Sequence, residues 1–250
     1  MSVPAALFNV EWKDYVPALA EGLGRSLSYT LAGFAGAVVV GAVVALLRVS
    51  RRKPIRALAA VYTEIFRNVP LLAIIFITYF GLASVGLRLD AFSAGTVSLV
   101  IFYGAYLSEI FRAALLGVHG GQREAGQALG LNGVTTFSSI VFPQALRLAL
   151  PGTATMFVDL LKSTSLLVVI SAGELMSQAQ LIASETFRAL EVYIVISAVY
   201  FVVCYPLSQL LVFLERRVQK GAPLSVRRHR RLRRARQILA STPETSEATS

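Results

Sequence analysis

The sequence runs to 250 residues, 55% of them apolar or aromatic and only 15% charged, with a net charge of +10 and a mean hydropathy of +0.64. A soluble domain carries about a quarter of its residues as charges, so these totals argue against a soluble enzyme, while the basic excess raises nucleic acid as a partner until the charges are placed. A single cysteine, Cys204, excludes a disulfide framework or a thiolate metal site, and the two separated histidines, His119 and His229, form no cluster.

A helix needs roughly 20 apolar residues to cross a bilayer. After an N-terminal segment, 1–22, that carries Glu11, Asp14 and Glu21, the first such run is 27–47, with no ionisable side chain. It is too long, and its approach too acidic, for a cleavable signal. The next uncharged run is 68–87. Run 91–118 contains Glu109 and Arg112, run 148–173 contains Asp159 and Lys162, and 192–214 is again uncharged. The pattern predicts an all-α polytopic membrane protein, its membrane domain at 23–218, with spans near 26–48, 64–87, 92–118, 148–173 and 190–214. Pro151 and Gly152 are expected to break the fourth span and free backbone groups for a cavity. Pro206 and Cys204 read as a kink and ordinary packing in the fifth.

Basic residues in short loops stay on the cytoplasmic side. Arg48, Arg51, Arg52, Lys53 and Arg56 follow span one, whereas only Arg88 with Asp90 follows span two. Residues 215–250 hold ten basic and three acidic side chains, so seven of the ten net charges lie beyond the last span. An outside N-terminus and a cytoplasmic C-terminus satisfy every loop. The tail, 219–250, reads as basic and disordered, attracted to anionic membrane lipid; a nucleic-acid arm is the rival reading, disfavoured because the arm follows a span directly.

The longest connection, 119–147, is not ordinary linker. Gly120 and Gly121 precede a short helical stretch, 122–131, on which Ala125, Ala128 and Leu129 share one face. Gly130 and Gly133 stop it, and Arg123 and Glu124 charge its first turn. Such a helix suits insertion into a groove on a partner; a helix lying on the membrane surface is the alternative.

The string Glu124-Ala125-Gly126, then Gly130, Ile140 and Pro143, resembles the EAA loop of permease subunits of ATP-binding-cassette importers. Further motifs are similar to those of the polar amino acid permeases of that superfamily. They are Arg67-Asn68-Val69-Pro70, Gly104-Ala105-Tyr106 with Glu109 and Phe111-Arg112, Pro143-Gln144-Ala145, Lys162-Ser163-Thr164-Ser165-Leu166 and Glu215-Arg216-Arg217. The likeness covers 22–218 and departs at Asn68-Val69, where the family has Gly-Thr, and at Gly126, where it often has Ala. It implies the MetI-like core fold, a bacterial cytoplasmic membrane location and a permease dimer, homo- or heteromeric. It also implies an ATPase dimer that carries ATP and Mg, and an extracytoplasmic solute-binding protein that delivers a polar amino acid. It makes 119–147 the cytoplasmic coupling loop, with Glu124, Ala125, Gly126, Ala128, Leu129 and Gly130 at the ATPase contact. Independently, the chain has no Gly-Lys dipeptide and hence no Walker A loop, so no nucleotide cofactor is expected on it.

An ionisable group at membrane depth costs several kcal/mol unless it meets partners or water. Glu109 with Arg112, and Asp159 with Lys162, are each three residues apart and can neutralise one another. Self-pairing and a substrate route are both open for them. Asp159, Lys162, Thr164 and Glu109 are the candidate pathway residues, since an amino acid presents one ammonium and one carboxylate; Lys162 leans the reading toward glutamate or glutamine. Tyr79, Tyr103 and Tyr106 read as packing between helices. An ion-driven transporter would show paired broken helices, and an intramembrane enzyme a nucleophile with a base; neither pattern is found, and a non-transporting scaffold gives no reason for the helix at Gln122.

Overall fold

The computed structural model describes residues 10–219, which form eight helical segments and no strand. These are α1 (Trp12–Arg48), α2 (Lys53–Asn68), α3 (Leu71–Ser84), α4 (Ala91–Gly117), α5 (Gly121–Ala128), α6 (Gly133–Ile170), α7 (Leu175–Thr186) and α8 (Ala189–Gln219). Helices α1, α4, α6 and α8 are each long and apolar enough to cross a membrane, and α2 with α3 makes a fifth crossing if the bent pair counts as one. The basic tail predicted over 219–250 lies outside the described residues, apart from its first residue.

The second span departs from expectation. It is not one unbroken helix over 64–87: α2 and α3 meet at 105°. Pro70 is the cause, because its ring pushes the preceding residue out of the helical region; Val69 is extended at φ −88°, ψ 133°. Helix α3 is then only roughly 21 Å long, short of the roughly 30 Å hydrocarbon core. Helix α2 is amphipathic: Ile55, Ala59, Tyr62, Thr63 and Phe66 turn inward while Lys53, Arg56 and Glu64 are exposed. Its polar inner groups find partners on α4, where the Tyr62 hydroxyl donates to the Ile101 carbonyl at 2.8 Å and the Thr63 and Ser108 hydroxyls pair at 3.0 Å.

Helix α1 begins at Trp12, so much of the predicted N-terminal segment is already helical, and it packs through small residues, first against Leu175 and Gln178 and then along α4. Gly22, Ser26, Thr30, Gly33, Ala37, Gly41 and Ala45 are buried at three- and four-residue intervals. Between apolar helices in lipid, association comes from close van der Waals contact, which small residues permit. At Gly41 the backbones come close: a Cβ there would lie 2.8 Å from Leu107 Cβ and 3.1 Å from the Ser108 nitrogen. Tyr29, Leu99, Tyr103, Leu160 and Leu167 fill the shared core beside this seam.

Helix α6 starts at Gly133, inside the predicted loop, and widens into a π turn over Phe137–Val141 before Pro143. It does not break at Pro151. The regular helix runs through Phe142–Ser163, packed between α4 and α8, and then tightens to a 3-10 turn over Thr164–Ile170. Neighbouring helices tolerate the lost hydrogen bond of a membrane proline in this way. Helix α8 likewise continues through Pro206. Helix α7, not foreseen from the sequence, sits between α1 and α8, where Leu175, Ala179, Ile182, Val192 and Ile196 pack with Leu19 and Leu23.

Candidate functional site

The predicted short helix is present as α5, Gly121–Ala128, somewhat shorter than 122–131. It ends in a left-handed turn at Gly130, φ +74°. The Leu131 N–H reaches the Gly126 carbonyl at 3.0 Å and the Gly130 N–H the Gln127 carbonyl at 2.9 Å, the paired bonds of a Schellman cap. Asn132 then caps α6, its side-chain oxygen accepting from the Thr135 N–H at 2.8 Å. Ala125, Ala128 and Leu129 are all exposed, as are Glu124 and Gly130; Leu129 is 77% exposed.

Gly126 lies on the opposite face and is buried. A Cβ there would sit 2.8 Å from Thr136 Cγ2, so the glycine lets α5 lie directly on the start of α6. Gln144 extends this support, its side-chain amide donating to Gln122 at 3.2 Å and to the Ile140 carbonyl at 3.0 Å. The six loop residues therefore separate into one that fixes the platform, Gly126, and five that face outward.

Glu109, on α4, stands beside the end of α1. Its carboxylate pairs with Arg112 on its own helix and with Arg48 at the end of α1; the Arg112 Nε bond is 3.1 Å. The pairing with Arg48 bridges 61 positions of sequence and was not foreseen. It places the basic end of α1 beside the α4 end that leads into α5. Two arginines saturate this carboxylate, an arrangement that ties the end of α1 to α4.

Asp159 and Lys162 pair more loosely, at 3.7 Å, with side chains 44% and 58% exposed. They line a cleft of about 150 Å³ between α6 and α8, together with Thr155, Ser208 and Glu215. Thr164 is not brought into this cleft: it is buried, and its hydroxyl donates to the Leu161 carbonyl at 2.8 Å. Nearby, the hydroxyls of Tyr103 and Ser163 pair at 2.8 Å. Arg67, in the Arg67-Asn68-Val69-Pro70 motif, lies over the Tyr106 ring at 5.4 Å, and the Tyr106 hydroxyl donates to the Arg67 carbonyl at 3.1 Å. That motif and that tyrosine thus hold the α2–α3 bend.

Glu174 escaped the sequence reading. It is fully buried and caps α7, accepting from Met176 N–H and Ser177 N–H, each at 2.8 Å, and from the Ser177 hydroxyl at 2.9 Å. Burial pushes its carboxyl up from the ordinary glutamate range, against the hydrogen bonds that favour the charged form. No local cue announced it, since Ser, Thr, Asp and Asn are the usual N-cap residues and glutamate is not.

The family described as binding-protein-dependent transport system inner membrane component matches residues 37–220. The chain is 38% identical over 201 residues to a probable glutamine ABC transporter permease protein, GlnM, of Bacillus subtilis (strain 168), covering 80% of this chain and 93% of the relative. It is 37% identical over 206 residues to the glutamine transport system permease protein GlnP of Escherichia coli (strain K12), at 82% and 94% coverage. It is 32% identical over 209 residues to the L-cystine transport system permease protein TcyB of Bacillus subtilis (strain 168), covering 83% and 89%. Among solved structures, an amino acid ABC transporter crystallised with histidines matches with a TM-score of 0.78 at 36% identity, over 84% of this chain and all of that one. An inward-facing MetNI methionine ABC transporter shares the fold, with a TM-score of 0.70 at 19% identity over 87% and 99% of the two chains.

Proposed function

Given that this chain belongs to the family of inner membrane components of binding-protein-dependent transport systems, and is a multi-pass permease subunit of an amino acid ABC importer, we propose how it couples transport and what it carries. The permease is not itself the ATPase, which is a separate subunit. The observation that carries the reading is α5, a rigid short helix whose outward face, Glu124, Ala125, Ala128 and Leu129 with Gly130 at its end, has no partner within the described chain. This face docks into a cytoplasmic ATPase dimer that binds ATP with its Mg, and nucleotide-driven closure moves α5 and, through Gly126 on Thr136, the α6 span behind it.

The N-terminus is outside and α5 is cytoplasmic. The basic residues after α1 support that orientation, because Arg48, Arg56, Arg112 and Arg123 surround one cleft, on the same side as α5. The active assembly pairs two permease copies, identical or related, and receives its cargo from an extracytoplasmic binding protein. Glutamine or glutamate is the cargo, supported by the glutamine permeases among the relatives and by Lys162. Asp159 and Lys162, partly exposed in their cleft, offer the complement of an amino acid's ammonium and carboxylate; Glu109, saturated by arginines, acts structurally.

Uptake of radiolabelled glutamine into proteoliposomes that hold the whole complex, with ATP inside and binding protein outside, tests this. Uptake should require ATP, and Asp159→Asn should cut it about tenfold, the loss of one charge-assisted contact. ATP-independent uptake overturns the coupling, and an Asp159→Asn variant with unchanged affinity and rate assigns that pair to mutual neutralisation.

A further inference from the structure

Beside the α5 platform lies a cleft of about 600 Å³ whose lining includes Arg48, Arg56, Arg112 and Arg123 and no acidic residue. Its floor is apolar, and two floor residues, Leu115 and Phe137, also line a second opening of about 210 Å³. That slot, between α1, α4 and α6, is lined wholly by apolar side chains, among them Val38, Ala42, Phe111 and Ala149. The two adjoin, with Leu115 and Phe137 in the walls of both: a cationic mouth beside an apolar slot. From Leu46 back to Val38 the slot follows eight residues of α1, or about 12 Å of helix axis, most of one leaflet's share of a hydrocarbon core roughly 30 Å thick.

We propose that this composite site holds one anionic phospholipid of the surrounding leaflet. The phosphate sits among the arginines, whose planar donors suit its oxygens in pairs, and one acyl chain lies in the slot between α1 and α6. Charge complementarity and depth select this occupant. Four guanidiniums, from Arg48 on α1, Arg56 on α2, Arg112 on α4 and Arg123 on α5, meet the headgroup layer, where basic residues attract anionic lipid, and the slot descends from that layer into the hydrocarbon. A free anion would leave the slot unfilled, and a zwitterionic lipid brings its own ammonium beside the phosphate, so the net positive charge of the arginines would stay unbalanced. Because the lipid touches Arg48 and Arg123 together, it ties the end of α1 to α5, and its occupancy tunes how firmly the coupling platform is held. The assignment requires only that the chain spans the membrane, not the direction in which it does so.

The test uses the full permease assembled with its ATPase and second permease copy, in nanodiscs of phosphatidylcholine with and without phosphatidylglycerol, and reads co-purifying lipid by native mass spectrometry. Phosphatidylglycerol should be retained about tenfold over phosphatidylcholine, and Arg56→Gln, which breaks no ion pair, should weaken that preference about fivefold. Ala42→Phe, which narrows the slot, should lower retention of the lipid while leaving binding of inorganic phosphate unchanged. Equal retention of both lipids overturns the site. So does a preference that inorganic phosphate abolishes, which would make it a free-anion site. A preference that survives only in the isolated permease also overturns it, since a protein surface would then fill the cleft.

Discussion

Gly130→Asp is expected to reach the membrane at the normal level and to lose ATP-driven uptake by more than about tenfold. Gly130 closes α5 at φ +74° with nothing within 4 Å of where a Cβ would stand. An L-residue in that left-handed conformation costs about 1 kcal/mol, less for aspartate and asparagine, which visit it most readily. The chain itself has room for the side chain, so the fold survives. What changes is the outward surface, where a carboxylate appears beside Ala128 and Leu129 at the face assigned to the ATPase, and an unpaired charge desolvated in an interface is costly. Gly130→Asn separates the two effects: it matches the shape and the backbone preference without the charge, and should retain most uptake. Normal transport by Gly130→Asp, in the same proteoliposomes, would remove Gly130 from the contact.

Glu109→Ala should destabilise the protein by about 2–4 kcal/mol. Breaking a buried ion pair by removing one partner costs about 3–5 kcal/mol, and the Glu109 side chain, 26% exposed, keeps some access to water. The loss arises because Arg48, only 12% exposed, and Arg112 are left facing each other without a counter-charge. Thermal unfolding in detergent should show a clearly lowered midpoint. The double variant Glu109→Ala with Arg48→Ala should recover part of it, as expected for coupled partners. An unchanged midpoint in Glu109→Ala would mean that the contact of Glu109 with Arg48 and Arg112 holds nothing together.

The helical class, the apolar spans and the short helix near Gln122 were legible because they rest on periodicity and composition, which are local. The bend at Pro70 was legible in principle, since proline constrains the residue before it. It was missed because an uncharged run looks the same to a hydropathy reading whether straight or folded back. Pro151 misled in the opposite direction: its local tendency to break a helix gave way to packing from α4 and α8. The small-residue seam on α1, from Gly22 to Ala45, was visible in the sequence as a four-residue repeat, but its partners, α7 near the start and α4 beyond, were not. The Arg48–Glu109 pair could not be read at all, because nothing local links positions 61 residues apart. At the loop the sequence placed Gly126 among the contact residues, whereas its contact is with Thr136; a glycine's reason for being small depends on what lies against it.

A separate ATPase is proposed to engage this permease at α5. A photo-crosslinking side chain placed at Ala128, which is exposed on α5, and in a control at Val16, 57% exposed near the start of α1, examines it in native membranes. Illumination, followed by identification of the cross-linked protein, should join position 128 to an ATPase subunit bearing a Walker A loop and leave position 16 unlinked to it. Cross-links from position 128 to lipid alone, with the ATPase present in the membrane, would contradict the account and make α5 a helix of the membrane surface.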